Sequence, residues 1–187
     1  MDTGLLNFDF YFLISYHLLL HENYCMADTS SINRFTIRVY GILTDENKRV
    51  LLSDEFIRGD YFTKFPGGGM EFGEGTRDCL KREFKEETGL DVTIGEHIYT
   101  TDYFQISAFN KCDQIVSIYY YVQANDANEL SKLNTKTTVF DFAPHQVADM
   151  RAQCELLRWI EWSELTEESV SLPIDKIVVG MLKGLNV

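Results

Sequence analysis

The chain has 187 residues, 45% of them hydrophobic and 13% aromatic, which is the size of one globular domain with an arm rather than two full domains. An apolar share that large excludes a wholly disordered chain. Seventeen Lys plus Arg against 29 Asp plus Glu give a net charge of -12, which argues against a nucleic-acid partner and against an anionic membrane surface. Excess acid suits a protein that gathers divalent cations, and it suits plain solubility equally well. Cys25, Cys79, Cys112 and Cys154 form no C-x-x-C pair and no Cys/His cluster of zinc spacing, so scattered thiols in a reducing cytoplasm are expected.

Residues 1–25 are mostly apolar from Leu5 to Leu20, interrupted by Asn7, Asp9 and His17. That run is short for a spanning helix, and a signal peptide would want basic residues ahead of it, yet no Lys or Arg precedes Arg34. Met26 opens MADTSSINRF, which reads as an ordinary start. Two readings stand: residues 1–32 are a real arm, or translation begins at Met26.

Phe35–Thr44 alternates apolar and polar residues and reads as a strand. Asp45–Asn47 is a turn, and Arg49–Ser53 resumes as a second strand, so the two are expected to form a hairpin. Tyr61–Phe65 is a short aromatic strand running into a Gly-rich loop, Gly67–Gly69. Thr76–Thr88 has helical period through Cys79, Leu80, Phe84 and Thr88, with Thr76 as cap and Gly89 as stop. Val92–Phe104 and Ile115–Ala124 are β-branched and aromatic, hence strands. Asn125–Ala152 is expected to be a long, specificity-bearing loop with a short helix near Pro144–Arg151. Leu156–Trp162 is a last strand. Pro173 opens a final helix whose apolar face carries Ile174, Ile177, Val178, Met181, Leu182 and Leu185. Strands and helices interleave, so the class is α/β or α+β.

The chemistry is concentrated between Gly67 and Leu90. Glu83, Glu86 and Glu87 lie at i, i+3 and i+4, on one face of a helix, where three carboxylates repel one another unless a hard cation such as Mg²⁺ joins them. Glu74 precedes the helix, and Arg82 stands beside the cluster, able to pair a carboxylate bidentately. A glycine-rich loop feeding a helix lets the backbone approach a ligand closely. From Gly68 the segment runs five residues to Glu74, seven more to Arg82-Glu83-Phe84, one to Glu86-Glu87, and one to Gly89-Leu90. That spacing resembles the Nudix box at every specified position, with Leu80 and Phe84 bulkier than the family's usual residues.

The resemblance implies a Nudix-type α/β/α sandwich over residues 33–187, a mixed sheet between helices with the box as a loop–helix–loop. It implies hydrolysis of a pyrophosphate bond in a small nucleotide substrate with Mg²⁺ or Mn²⁺. The substrate candidates are a (d)NTP, a nucleotide sugar, ADP-ribose or a dinucleoside polyphosphate. Carried over residue by residue, Glu86 and Glu87 bind metal directly. Glu83 is a ligand or the base that orients water, Glu74 is a supporting or secondary metal ligand, and Arg82 holds the carboxylates. The carbonyl of Gly67 or Gly68 completes a metal shell. Members often add an acid near a late strand; Glu155 matches best, and an ordinary strand-edge glutamate is the alternative, with Glu129 and Asp149 further off. Lys64 and Tyr61, with Gly67 and Gly68, are the expected substrate contacts, and Tyr103, Phe104 and Tyr119 are further aromatic candidates that core packing explains equally well. A nucleotide-sensing domain without activity, or a diphosphate isomerase of the same fold, remains as an alternative. Monomer and homodimer both stay open.

Overall fold

The computed structural model describes residues 29–184; the expectations for residues 1–25, Cys25 and Leu185 lie outside the described residues. Two compact units divide between Asn33 and Arg34. In the first, Thr29–Ser31 makes one 3-10 turn.

The second unit holds eight strands and three α-helices in the order β1 (Arg34–Leu43), β2 (Arg49–Ile57), β3 (Asp60–Lys64), β4 (Gly67–Gly69), α1 (Thr76–Thr88), β5 (Val92–Thr100), β6 (Asp113–Ala124), α2 (Ala127–Leu130), β7 (Thr135–Lys136), β8 (Gln153–Glu161) and α3 (Pro173–Leu182). They form two mixed four-stranded sheets, ordered β4-β1-β6-β5 and β3-β2-β8-β7. In the first, β1 runs parallel to β6 and antiparallel to β4. In the second, β2 is antiparallel to both neighbours and β7 is parallel to β8. The architecture is therefore the α/β sandwich expected, with its strands divided between two sheets.

Strand alternation sorts the core into two layers. Val39 and Leu43 of β1, Leu51 of β2, and Tyr120 and Val122 of β6 pack with Cys79, Leu80 and Phe84 of α1. Tyr40 and Ile42, Val50 and Leu52, and Tyr119 point the other way, onto Ile174, Val178 and Val179 of α3. Gly41 is required by the first layer: a Cβ there would lie 2.5 Å from Val122 and 2.6 Å from Phe84.

Several local expectations are corrected. β1 and β2 do not form a hairpin; they enter different sheets, with a Thr44–Val50 bridge as their backbone pairing among the described residues, because each finds longer partners elsewhere. The hairpin is β2–β3, closed by Arg58 and Gly59, both with positive φ, 53° and 91°, as a two-residue turn of that twist demands. Gly67–Gly69 is a strand rather than a loop. Thr76 does not cap α1; Gly75 does, and the Thr76 hydroxyl meets the Tyr120 hydroxyl at 2.9 Å. The stretch 144–151 is turns and bends without a helix, while the helix of this loop is α2, capped by Asp126. In α3, Asp175 and Val179 are buried and Met181 is 40% exposed, so the buried stripe is rotated from the expected one.

Asp175 is fully buried and accepts from the Tyr119 hydroxyl at 2.5 Å, while its Oδ2 has no hydrogen-bond partner among the described residues. Burial pushes its carboxyl up to about 7, against the pull of Tyr119. The folded state then holds a proton that the unfolded chain releases near pH 4, so this group's contribution to stability falls between about pH 4 and about pH 7. Asp175→Asn removes that fall. The difference in Tm, variant minus wild type, is expected to grow from pH 4 to pH 7 in a thermal melt series; a constant difference would contradict the shift.

Candidate functional site

Helix α1 buries Cys79, Leu80 and Phe84, which turns its other face toward the glycine strand β4. Gly89, at φ 76°, ends the helix in the left-handed conformation. Arg82 is the hub of that face. Its Nε donates to Glu74 at 2.6 Å, Nη1 to Glu83 at 2.9 Å and Glu86 at 3.2 Å, and Nη2 to the Gly69 carbonyl at 3.0 Å. The Arg82 hydrogen bond holds the Glu74 carboxyl down at about 2.

Glu87 turns away from this hub. Its Oε2 accepts from the Gly67 backbone N–H at 2.9 Å and its Oε1 from Lys64 Nζ at 3.2 Å. Lys64 is only 2% exposed. Its ammonium also lies 2.9 Å from the Gly67 carbonyl, 3.3 Å from Glu55 and 3.8 Å from Glu155. The three carboxylates Glu55, Glu87 and Glu155 have oxygens within 4.8 Å of one another. Burial pushes the Glu87 carboxyl up, as does Glu155, while Lys64 pulls it down.

The register of the second sheet explains this convergence. Phe62 pairs with Glu55, and Glu55 with Glu155, so these three form one row across β3, β2 and β8. Two residues along, the next row on the same face is Lys64, Ser53 and Leu157. The Ser53 hydroxyl donates to Glu155 and fixes it. On the opposite face of the sheet, Asp54 is buried and paired with Arg158 at 2.8 Å, an internal strut that also receives the Thr63 hydroxyl at 2.7 Å.

The carboxylates Glu55, Glu87 and Glu155, with the Gly67 carbonyl beside them, are hard oxygen donors of the kind that suit Mg²⁺ or Mn²⁺. Next to them opens a cavity of about 270 Å³, lined by Arg38, Tyr40, Glu55, Phe62, Lys64 and Phe109 among others.

The expected site residues thus separate. Glu74, Arg82, Glu83 and Glu86 form one network, and Glu87 joins Glu155, Lys64 and Gly67 in another. Gly68 lies against the Glu83 carboxylate. Tyr61 is on the face of β3 opposite Lys64, packed with Phe56, Phe140 and Phe142, and does not line the cavity. Glu129 pairs with Lys132 and Asp149 with Arg151, both outside these two networks. Tyr119 is a core residue between Tyr40 and Phe65. Sequence reasoning missed Glu55. Its signal was present in the alternation of β2, where Leu51, Ser53 and Glu55 share a face, but only the pairing with β8 brings it to Glu87.

A family model for the NUDIX domain matches residues 34–176. The chain belongs to the NUDIX family. Membership sets the class of activity as a hydrolase. Solved structures share the fold: a NUDIX hydrolase from Nitrosomonas europaea at 18% identity, covering 80% of this chain and 88% of that one with a TM-score of 0.55. The E. coli ORF135 protein matches at 18% identity over 81% and 91%, TM-score 0.54. A MutT NUDIX hydrolase from Burkholderia pseudomallei matches at 16% identity over 79% and 97%, TM-score 0.53.

Two adjacent glycines of β4 differ in what they tolerate. At Gly67, φ is 132° and a Cβ would lie 2.2 Å from the Val39 carbonyl oxygen, a backbone atom that cannot swing aside. At Gly68 a Cβ would meet only the Glu83 carboxylate, the mobile end of a side chain. Gly67→Ala is therefore expected to cost about 3 kcal/mol or more of stability, and Gly68→Ala within about 1 kcal/mol, as measured by urea unfolding. Equal losses would show that β4 tolerates a side chain at 67.

Proposed function

We propose that this NUDIX hydrolase cleaves the pyrophosphate bond of a small nucleotide substrate with the help of Mg²⁺ or Mn²⁺. The observation that carries the reading is the meeting of Glu55, Glu87 and Glu155 with the Gly67 carbonyl, from four separate elements, beside an open cavity. Scattered surface acids would not converge in this way.

In this reading Glu87, Glu55 and Glu155 hold the ion, and Glu155, the most exposed of the three, lies nearest solvent. An ion held there would supply charge neutralisation for phosphate oxygens and would ease the loss of a proton from the attacking water. The Gly67 N–H fixes the orientation of Glu87 by its hydrogen bond. Glu83, beside Gly68, is the base that takes the proton of the attacking water, and Glu86 adds a further ligand oxygen. Glu74 acts through Arg82, which keeps Glu83 and Glu86 from repelling each other apart. Lys64 serves as counter-ion to the acids, with its ammonium among Glu55, Glu87, Glu155 and the Gly67 carbonyl. Cys79, Cys112 and Cys154 are free thiols, which fits a cytoplasmic setting. Among the described residues no helix is long and apolar enough to cross a membrane.

The test is product release from a panel of (d)NTPs, nucleotide sugars, ADP-ribose and dinucleoside polyphosphates with Mg²⁺ or Mn²⁺. Turnover of one class, abolished by EDTA, is expected; a folded, metal-binding protein that is inert across the panel would favour a nucleotide sensor. Glu87→Gln is expected to lower kcat at least about a hundredfold without loss of fold. Glu55→Gln and Glu155→Gln should each weaken Mn²⁺ binding as read by calorimetry. Unchanged Mn²⁺ affinity in both would remove these two acids from the metal site.

A further inference from the structure

The cavity beside the carboxylates contains a cation that the reaction as described does not use. Arg38 stands on β1, two residues before Tyr40, with its guanidinium 5.5 Å from the Tyr40 ring centroid. Its Nε donates to the Tyr40 hydroxyl at 2.5 Å. The terminal nitrogens make no hydrogen bond or ion pair among the described residues, and the side chain lines the cavity. Lys64, over the same Tyr40 ring at 5.8 Å, is by contrast committed to three carboxylates and a carbonyl. Arg58, also on the cavity wall, donates to the Phe109 carbonyl at 3.2 Å.

A guanidinium fixed through Nε presents the other two nitrogens as a planar fork, the geometry that takes two oxygens of one phosphoryl group. Tyr40 fixes the fork, in a wall that also contains Lys64 and Glu55. Phe62 and Phe109 form an edge-to-face corner in the same wall, with ring centroids 5.1 Å apart. Such a corner is apolar and suits a planar ring.

We propose that Arg38 is the anion receptor of this cavity, taking a phosphoryl group of the substrate, with the planar ring of the attached nucleoside against Phe62 and Phe109. The ligand class is a nucleoside phosphate, and Arg38 is a specificity residue. The proposal rests on the hydrolase reading of the adjoining site, but it is tested without turnover.

AMP and adenosine are titrated separately into the full chain in EDTA, with calorimetry as the readout. AMP is expected to bind about tenfold more tightly than adenosine or better, because the fork recognises only the former. Arg38→Met should bring AMP down to the adenosine level. Arg38→Lys keeps the charge and loses the fork, and should lose at least about threefold in AMP affinity while adenosine is unchanged. It decides the matter if Arg38→Met fails to fold, which a thermal melt reveals. Equal binding of AMP and adenosine by the wild type would overturn the proposal, as would wild-type AMP affinity in Arg38→Lys. Metal-dependent turnover with a KM unmoved by Arg38→Lys would retain the hydrolase reading and discard this one. An AMP preference lost with Arg38, in a protein inert on the nucleotide panel, would do the reverse.

Discussion

A buried ammonium holds the site together. Lys64 of β3 reaches Glu55 of β2, Glu155 of β8, Glu87 of α1 and the carbonyl of Gly67 in β4. Three carboxylates in one place repel one another, and a lysine taken out of water is costly by itself. Each fault offsets the other. Removing one partner from such a set typically costs about 3–5 kcal/mol, because the remaining charge is left buried. The position of α1 against both sheets is therefore set by charge as well as by the apolar contacts of Phe84 and Leu80.

A second cation divides the remaining acids. Arg82 gathers Glu74, Glu83 and Glu86, while Lys64 gathers Glu87 with acids from the other sheet. The backbone of the narrow strand Gly67–Gly69 serves both: Gly69 through its carbonyl to Arg82, Gly67 through its N–H to Glu87. Of these glycines, Gly67 has no room for a side chain. In a chain of net charge -12, the two clusters show where acid is organised rather than merely solvating.

What could be read ahead of the structure was whatever depends on near neighbours. The α1 helix follows from the recurrence of Cys79, Leu80 and Phe84, and its end from Gly89. The pairing of β1 could not be read in the same way. A turn at Asp45–Asn47 suits a hairpin, yet β1 gains ten paired residues by running beside β6, far along the chain. Helical spacing places Glu83, Glu86 and Glu87 on one face but says nothing of the cations that share them. Arg82 and Lys64 draw Glu83 and Glu87 in different directions.

By itself the sequence determined the family, the α1 helix and most of the strands, because motif spacing and hydrophobic period are properties of contiguous residues. Only the tertiary structure decided which acids meet. Glu55 and Glu155 are a hundred residues apart and become neighbours through the register of β2 with β8. A shift of one residue in that register would turn one of the two to the Asp54–Arg158 face and part them. The same holds for Arg38, an unremarked member of an alternating strand until the fold sets it in the wall of one cavity with Lys64. Local pattern encodes the elements; pairing between distant strands, governed by burial and charge across the whole domain, encodes the site.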